Sequence, residues 1–387
     1  MVLTHPFKCP THVINGVGFD EAVAELVGGR RWALVTSPSW LTSGADRRLI
    51  DSAGACTVVI GDVKPNPTVS EVYRIARLLP DETEVVVALG GGSVIDAAKG
   101  LIAVKQPSIG EGGLMTHLTE GSALEFAAKP QDLIAIPTTS GTGSEVTRWG
   151  TIWGDDGIKF SINDPCLYPA AAILDPALCV TMPRELTLAT GLDALSHAAE
   201  SVWNRRHSEI SDQLATQAIR VLRRDLATAL ESPADIGLRS NVQSAALLSG
   251  LAMGTTQTAL AHSISYPFTS RFGVPHGLAC SFTLPVIAAF NGAEDRDRLW
   301  PIAEGLGCEP ETIPDVLNAW FHEMELTAFL SQYVGIEAVD AFDDQLITRA
   351  RAANNIRDVD GNVAKDLARE ALREFTSGAV STSTAGD

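Results

Sequence analysis

Positive charge is scarce in this sequence. Its 387 residues carry 29 Lys and Arg against 47 Asp and Glu, a formal net charge of −18. Nucleic-acid binding needs a concentrated basic face, so DNA and RNA are not expected partners. Long apolar runs are missing as well. No window approaches the roughly 18 uninterrupted apolar residues of a membrane span, and Met1–Phe7 lacks the basic-then-apolar pattern of a signal peptide. A soluble cytoplasmic protein without a membrane partner is expected. The six cysteines (Cys9, Cys56, Cys166, Cys179, Cys280, Cys308) form no Cys-x-x-Cys pair and no dense framework. They are expected to be reduced, mostly buried thiols rather than disulfides or a zinc site. Aromatic residues make up only 6%, yet 45% hydrophobic and 20% charged residues exclude a disordered chain. The length accommodates two domains of roughly 100–200 residues each.

What is present comes in two textures. Arg31–Ser37, Cys56–Asp62, Glu84–Gly90 and Asp132–Pro137 are continuous, β-branched apolar runs that read as strands buried on both faces. Between them Thr68–Leu79 and Ser93–Lys105 carry apolar residues at helical spacing. Strand and helix in turn predict a parallel sheet with helices on both faces. After Arg184 the strands give way to Ala- and Leu-rich helical stretches: Glu185–Asn204, Ser208–Ala229, Gly237–Leu260 and Ala279–Phe290. The expected organisation is an α/β domain over residues 1–183 and an all-α domain over 184–387, ending in a frayed tail at Ser381–Asp387.

Two loops carry a phosphate-binding signal. The run Glu84–Gly90 passes through Gly91-Gly92-Ser93 directly into a helical pattern. Glycines there let the backbone approach a ligand, and the free N–H groups of the new helix suit a pyrophosphate. The G-x-G-x-x-G fingerprint is absent, but a second polar loop, Pro137–Glu145, follows the next strand with hydroxyls and backbone donors of its own. Two such loops at strand C-termini mark the crevice where open α/β sheets bind dinucleotides.

A separate cluster points to a metal. Asp193 and His197 stand four residues apart on one helix face, so both reach one ion. His262 and His276 lie farther on in apolar sequence. Three imidazoles and one carboxylate suit iron(II) or zinc and disfavour calcium or magnesium. His5, His12, His117 and His207 have no comparable setting.

With these residues in hand, the chain resembles the iron-containing (group III) alcohol dehydrogenases from about Thr11 to about Asn291. The resemblance is carried by GGGSVIDAAK, PTTSGTGSEVT, LATGLDALSHAAE and FGVPHG. It implies a dinucleotide-binding N-terminal domain, a helical metal-binding C-terminal domain and catalysis in the cleft between them. Asp193, His197, His262 and His276 match the family's metal ligands. Gly91, Gly92 and Ser93 match its pyrophosphate loop, and Asn66, Asp96, Thr138, Thr139, Thr147 and Lys159 match positions lining the nicotinamide cofactor, NADH or NADPH. Ser37 stands where NAD-preferring members often place an acid for the ribose 2′-hydroxyl, which removes the repulsion against NADPH. Tyr266 replaces a histidine that many members carry four residues after the third ligand, and is a candidate proton donor or a core ring. Ala261–Pro267, Ser201–Asn204 and Lys159–Ser161 are similar to a narrower branch, the phosphonoacetaldehyde reductases.

The resemblance therefore implies metal-dependent NAD(P)H reduction of a small aldehyde to a primary alcohol, with phosphonoacetaldehyde as the expected substrate and Arg148, Arg205, Arg206 and Arg271 as candidate phosphonate contacts. The rival expectations are a general reductase of lactaldehyde or 1,3-propanediol type, a carbon–oxygen lyase of the dehydroquinate-synthase kind, and a metal-bound nucleotide scaffold without turnover. A homodimer is compatible with the sequence, which does not set the oligomeric state.

Overall fold

The computed structural model describes residues 7–342 and 346–377; His5 and the Ser381–Asp387 tail lie outside the described residues. Contacts divide the chain into two compact units, one from Cys9 to Cys179 and one from Val180 onward that also takes in Phe7 and Lys8. No helix among the described residues is long and apolar enough to cross a membrane.

The first unit is built on a parallel six-stranded sheet. Its strands are β1 (His12–Asn15), β2 (Trp32–Thr36), β3 (Val59–Ile60), β4 (Val85–Gly90), β5 (Asp132–Pro137) and β8 (Ala171–Leu174), in the order β1-β8-β5-β4-β2-β3. Successive side chains of a strand point to opposite faces, and the core divides accordingly. Trp32, Leu34, Val85, Val87 and Leu89 pack with Phe19, Val23 and Leu49 on one face. Ala33, Val35, Val86 and Ala88 pack with Val72, Ile75, Ile95 and Leu101 on the other. Strands β2 and β4 are neighbours, yet the chain leaves β2 toward β3 and leaves β4 toward β5, in opposite directions. The sheet therefore has its topological switch point at the C-terminal ends of β2 and β4, where open α/β sheets form their ligand crevice.

Three features depart from the sequence expectation. The run Cys56–Asp62 pairs only at Val59–Ile60, with Leu34 and Val35 as partners; before it, Thr57 is held by its N–H and hydroxyl on the Trp32 carbonyl outside the ladder. An antiparallel hairpin, β6 (Trp149–Trp153) and β7 (Lys159–Asn163), was not anticipated, nor were the four-residue strands β1 and β8. The hairpin turn contains Asp156-Gly157 with Gly157 at φ +84°, a turn signal that is visible in the sequence.

The second unit is helical. Arg184–Val202, Glu209–Glu231 and Ile236–Thr256 pack against one another around a single apolar core. Ser208 opens the second of these with a reciprocal capping box to Ser211. The expected helix Gly237–Leu260 stops at Thr256, because Gln257 adopts φ +68° and the chain re-enters helix only at Leu260. Side chains stabilise the break: the Asn204 amide donates to the Gln257 carbonyl (3.1 Å) and the Asn354 amide to that of Thr258 (2.8 Å). The expected helix Ala279–Phe290 is likewise two pieces, His276–Ser281 and Leu284–Gly292. Pro285 lacks an N–H and its ring disfavours a helical turn before it, and it falls in the first turn of the second piece.

Candidate metal centre and nucleotide loops

The metal candidates assemble within the helical unit. Asp193 and His197 project from one face of the helix Arg184–Val202, His262 from the first turn of Leu260–Phe272, and His276 from the first residue of His276–Ser281. The His262 Nε2 lies 3.4 Å from Asp193 Oδ1, and the His197 Nε2 lies 3.8 Å from the same oxygen. The His197 ring stacks on His262 at 4.7 Å between centroids, and the His276 ring meets His262 edge-on at 5.3 Å. Asp193 and His262 are almost fully buried, while His276 is half-buried.

Asp193 Oδ1 and His262 Nε2 make no hydrogen bond among the described residues. A buried acceptor without a donor is costly, and two facing each other across 3.4 Å are costlier still. A cation between them resolves both. Nitrogen and oxygen donors in this ratio suit iron(II) or zinc. Burial alone disfavours a charged Asp193, but the imidazoles of His197, His262 and His276 hold its carboxyl well below the usual range, so the anion stands ready in the pocket.

The structure adds a residue that sequence reasoning assigned to the ordinary buried thiols. Cys280 places Sγ 3.6 Å from His276 Nε2, and one donor atom each from Asp193, His262, His276 and Cys280 lie within 4.8 Å of one another. Its signal was present: His276 and Cys280 share the i, i+4 spacing of Asp193 and His197. Burial pushes the Cys280 thiol above its ordinary pKa.

In the sheet unit, the two loops meet over the C-terminal ends of β4 and β5, beside the switch point. Gly91 precedes the helix Gly92–Val104, and a Cβ on Gly92 would fall 2.7 Å from the Thr142 hydroxyl, so only glycine fits between the loops without displacement. Thr138 donates its N–H to the Gly90 carbonyl at 3.1 Å. Thr138 and Thr147 are buried and Thr139 is half-buried. Asn66, exposed and at φ +58°, donates its N–H to Ser93 Oγ (3.1 Å). Ser37 follows β2 at the other lip of the switch point and precedes the short helix Pro38–Thr42.

A buried charge cluster secures the second loop. Lys99 Nζ, fully buried, donates to the Ser144 carbonyl (2.7 Å), the Ser144 hydroxyl (2.9 Å) and the Trp149 carbonyl (2.5 Å). Asp96 accepts from the Ser144 hydroxyl (2.5 Å) and the Thr151 N–H (2.8 Å), so both its oxygens are committed to the loop and the hairpin. Burial pushes Asp96 up while Lys99 and Lys159 draw it down. Burial also lowers Lys99 to about 8 and raises Glu145 to about 6.

The four arginines separate by their contacts. Arg205 is engaged by the Asn355 carbonyl (2.7 Å), the Ile356 carbonyl (3.3 Å) and Asp358 (2.6 Å), and Arg271 by the Ala341 carbonyl and the Phe342 ring. Both are thus given structural tasks. Arg206 is exposed. Arg148, half-buried beside Trp149, keeps its Nε buried without an acceptor among the described residues. The half-buried Tyr266 stacks on His276 at 6.0 Å, one helical turn beyond His262.

Residues 10–176 match the family model "Iron-containing alcohol dehydrogenase", and residues 187–371 match the C-terminal model of the same family. The chain belongs to the iron-containing alcohol dehydrogenase family. It is an NAD(P)-linked oxidoreductase of alcohols and aldehydes, with iron and a nicotinamide cofactor. Among its relatives is a 1-propanol dehydrogenase of Salmonella typhimurium, 35% identical over 69% of each chain. Another is a 4-hydroxybutyrate dehydrogenase of Cupriavidus necator, 33% identical over 73% of this chain and 75% of that one. Among solved structures, the sulfoacetaldehyde reductase of Bifidobacterium kashiwanohense in complex with NAD+ superposes with a TM-score of 0.85 at 27% identity, covering 96% of the enzyme and 99% of that chain.

Proposed function

We propose that the enzyme reduces phosphonoacetaldehyde to 2-hydroxyethylphosphonate, with Asp193, His197, His262 and His276 as its metal ligands. The observation that carries this reading is the near full-length likeness to a reductase whose substrate is a two-carbon aldehyde bearing a tetrahedral oxyanion. Phosphonoacetaldehyde has the same carbon skeleton with phosphonate in place of sulfonate. The motifs Ala261–Pro267, Ser201–Asn204 and Lys159–Ser161 point the same way.

A bound divalent ion supplies Lewis-acid polarisation of the carbonyl, and the reduced nicotinamide supplies the hydride. The rest falls to side chains of this chain. Asp193 enters the pocket as an anion and balances part of the ion's charge. Gly91, Gly92 and Ser93 offer helix N–H groups to the pyrophosphate, with Thr138 and Thr139 of the facing loop packed against them and Thr147 a further candidate on the cofactor side. Asn66 holds Ser93, while Asp96 and Lys159 serve the hairpin side of that site. A neutral Ser37 puts no negative charge against a 2′-phosphate, so NADPH is accepted beside NADH. Arg148 is the candidate for the phosphonate, since its Nε lacks an acceptor. Tyr266 is the candidate proton donor to the product alcohol.

The test is steady-state oxidation of NADH and NADPH with phosphonoacetaldehyde, sulfoacetaldehyde and propionaldehyde, before and after chelation and with iron(II) restored. The proposal expects the highest kcat/KM for phosphonoacetaldehyde and loss of activity on chelation. A preference for propionaldehyde would instead favour a neutral-aldehyde reductase, the reading supported by likeness to the 1-propanol dehydrogenase.

A further inference from the structure

We propose that Glu200 is the positioning residue of the metal centre: it fixes the orientation and tautomer of His262, and its charge completes the neutralisation of the ion. The inference rests on the ligand set read above.

Glu200 follows Asp193 by seven residues and His197 by three on the helix Arg184–Val202, so all three lie on one stripe of that helix. Its residue is 0% exposed. No lysine or arginine among the described residues pairs with it. Instead its two oxygens collect four donors from the start of the helix Leu260–Phe272. Oε2 accepts from the Ala259 N–H (2.9 Å) and from His262 Nδ1 (2.7 Å). Oε1 accepts from the Ala261 N–H (2.5 Å) and the His262 N–H (3.2 Å).

Two needs are met by one carboxylate. The helix Leu260–Phe272 begins Ala259-Leu260-Ala261, with no side chain able to cap its free N–H groups. Glu200 supplies the cap from another helix, and its charge suits the positive end of the helix dipole. The same oxygens receive His262 Nδ1. A carboxylate only accepts, so the imidazole carries its hydrogen on Nδ1 and turns the Nε2 lone pair toward Asp193 Oδ1. Nε2 is the imidazole atom left without a hydrogen bond among the described residues. Backbone cap and ring are thus locked by a single group, and His262 has no freedom to offer the wrong nitrogen. A carboxylate behind a ligating histidine also strengthens the ligand. Charge closes the argument, since Asp193 and Glu200 together offset a divalent ion among neutral imidazoles, whereas Asp193 alone leaves a buried net charge.

The experiment compares wild type, Glu200→Gln and Glu200→Asp. Metal affinity is read by chelator competition with iron(II) and zinc, ligand geometry by the visible absorption of the cobalt(II)-loaded protein, and folding by circular dichroism of the metal-free protein. The proposal expects the Gln variant to fold and to lose about 10–100-fold in metal affinity, with a changed cobalt spectrum, and the Asp variant to lose less. Folded variants with affinity within about twofold of wild type and an unchanged cobalt spectrum would overturn it. Histidine ¹⁵N NMR of the zinc-loaded wild type gives a reading that needs no variant: His262 is expected with hydrogen on Nδ1 and metal on Nε2, and the reverse assignment sinks the proposal. Wild-type protein that binds neither metal tightly would overturn the ligand set itself.

Discussion

The Cβ that an alanine would carry at position 277 falls 1.7 Å from the backbone oxygen of Ala189 and 3.1 Å from the Asp193 Cβ. Gly277 thus lets the segment bearing His276 lie directly on the helix bearing Asp193. Gly277→Ala is expected to cost about 3 kcal/mol through overpacking and to separate the two proposed ligands, read as a lower Tm together with reduced bound iron. A lower Tm with full iron content would show that the close approach matters to packing alone. At Tyr266, replacement by Phe is expected to lower kcat about 100-fold with little change in iron content, if its hydroxyl delivers the proton; an unchanged kcat assigns the proton to water. Arg148→Ala is expected to raise KM for phosphonoacetaldehyde far more than for propionaldehyde, and equal effects would remove Arg148 from the proposed phosphonate contacts. At this scale the sequence was legible where spacing is short. Asp193 and His197 declare themselves four residues apart, but Glu200 is one acid among 47 Asp and Glu until its partners, some 60 residues onward, are folded against it.

Among elements, β2, β4 and β5 were readable because each is a continuous apolar run, as central parallel strands must be. The hairpin β6–β7 was not, since its half-buried faces interrupt the apolar pattern. Helix ends were the least legible, and the break at Gln257 shows why. It is stabilised by Asn354, whose amide reaches a carbonyl 96 residues away, and no local pattern encodes such a partner. The loop Pro137–Glu145 invites a test by pH. Burial raises Glu145 from 4.5 to about 6, so between those values the folded protein holds a proton that the unfolded chain releases. Stability therefore falls as pH rises through that window, by about 2 kcal/mol from this group. Lys99 acts in the opposite sense. Lowered from 10.5 to about 8, it makes stability rise with pH between those values. Urea midpoints of the metal-free protein at pH 4.5 and 6 should differ in wild type and converge in Glu145→Gln. Equal slopes in both proteins would show that Glu145 is ionised freely in the fold.

For the whole molecule, the net charge of −18 describes the outer surface, while function depends on local fields of the opposite sign. The helix N-terminus at Gly92 supplies such a field for the anionic dinucleotide. Metal removal probes how far the pocket supports its surroundings. Chelation leaves Asp193 and Glu200 buried without the ion, and at a metal concentration 1,000-fold above Kd the lost stabilisation is about 4 kcal/mol. Hydrogen-exchange mass spectrometry should show faster exchange in Arg184–Val202, Leu260–Phe272 and His276–Ser281 after chelation, with β4 and β5 unchanged. Uniform acceleration in both units would show that the ion stabilises more than the helices that bind it.

The placement of all four proposed metal ligands after Val180 also sets an order of events during synthesis. Domains fold as units and the N-terminal one emerges first, so the sheet and its nucleotide loops can form while the ribosome has yet to make His276. On the proposed ligand set, iron capture waits for His276 and for the helix that carries Glu200 to meet the one it caps. A nascent chain stalled before residue 276 would therefore hold a finished nucleotide unit and no competent metal pocket, which makes loading with iron a late step in the life of the chain.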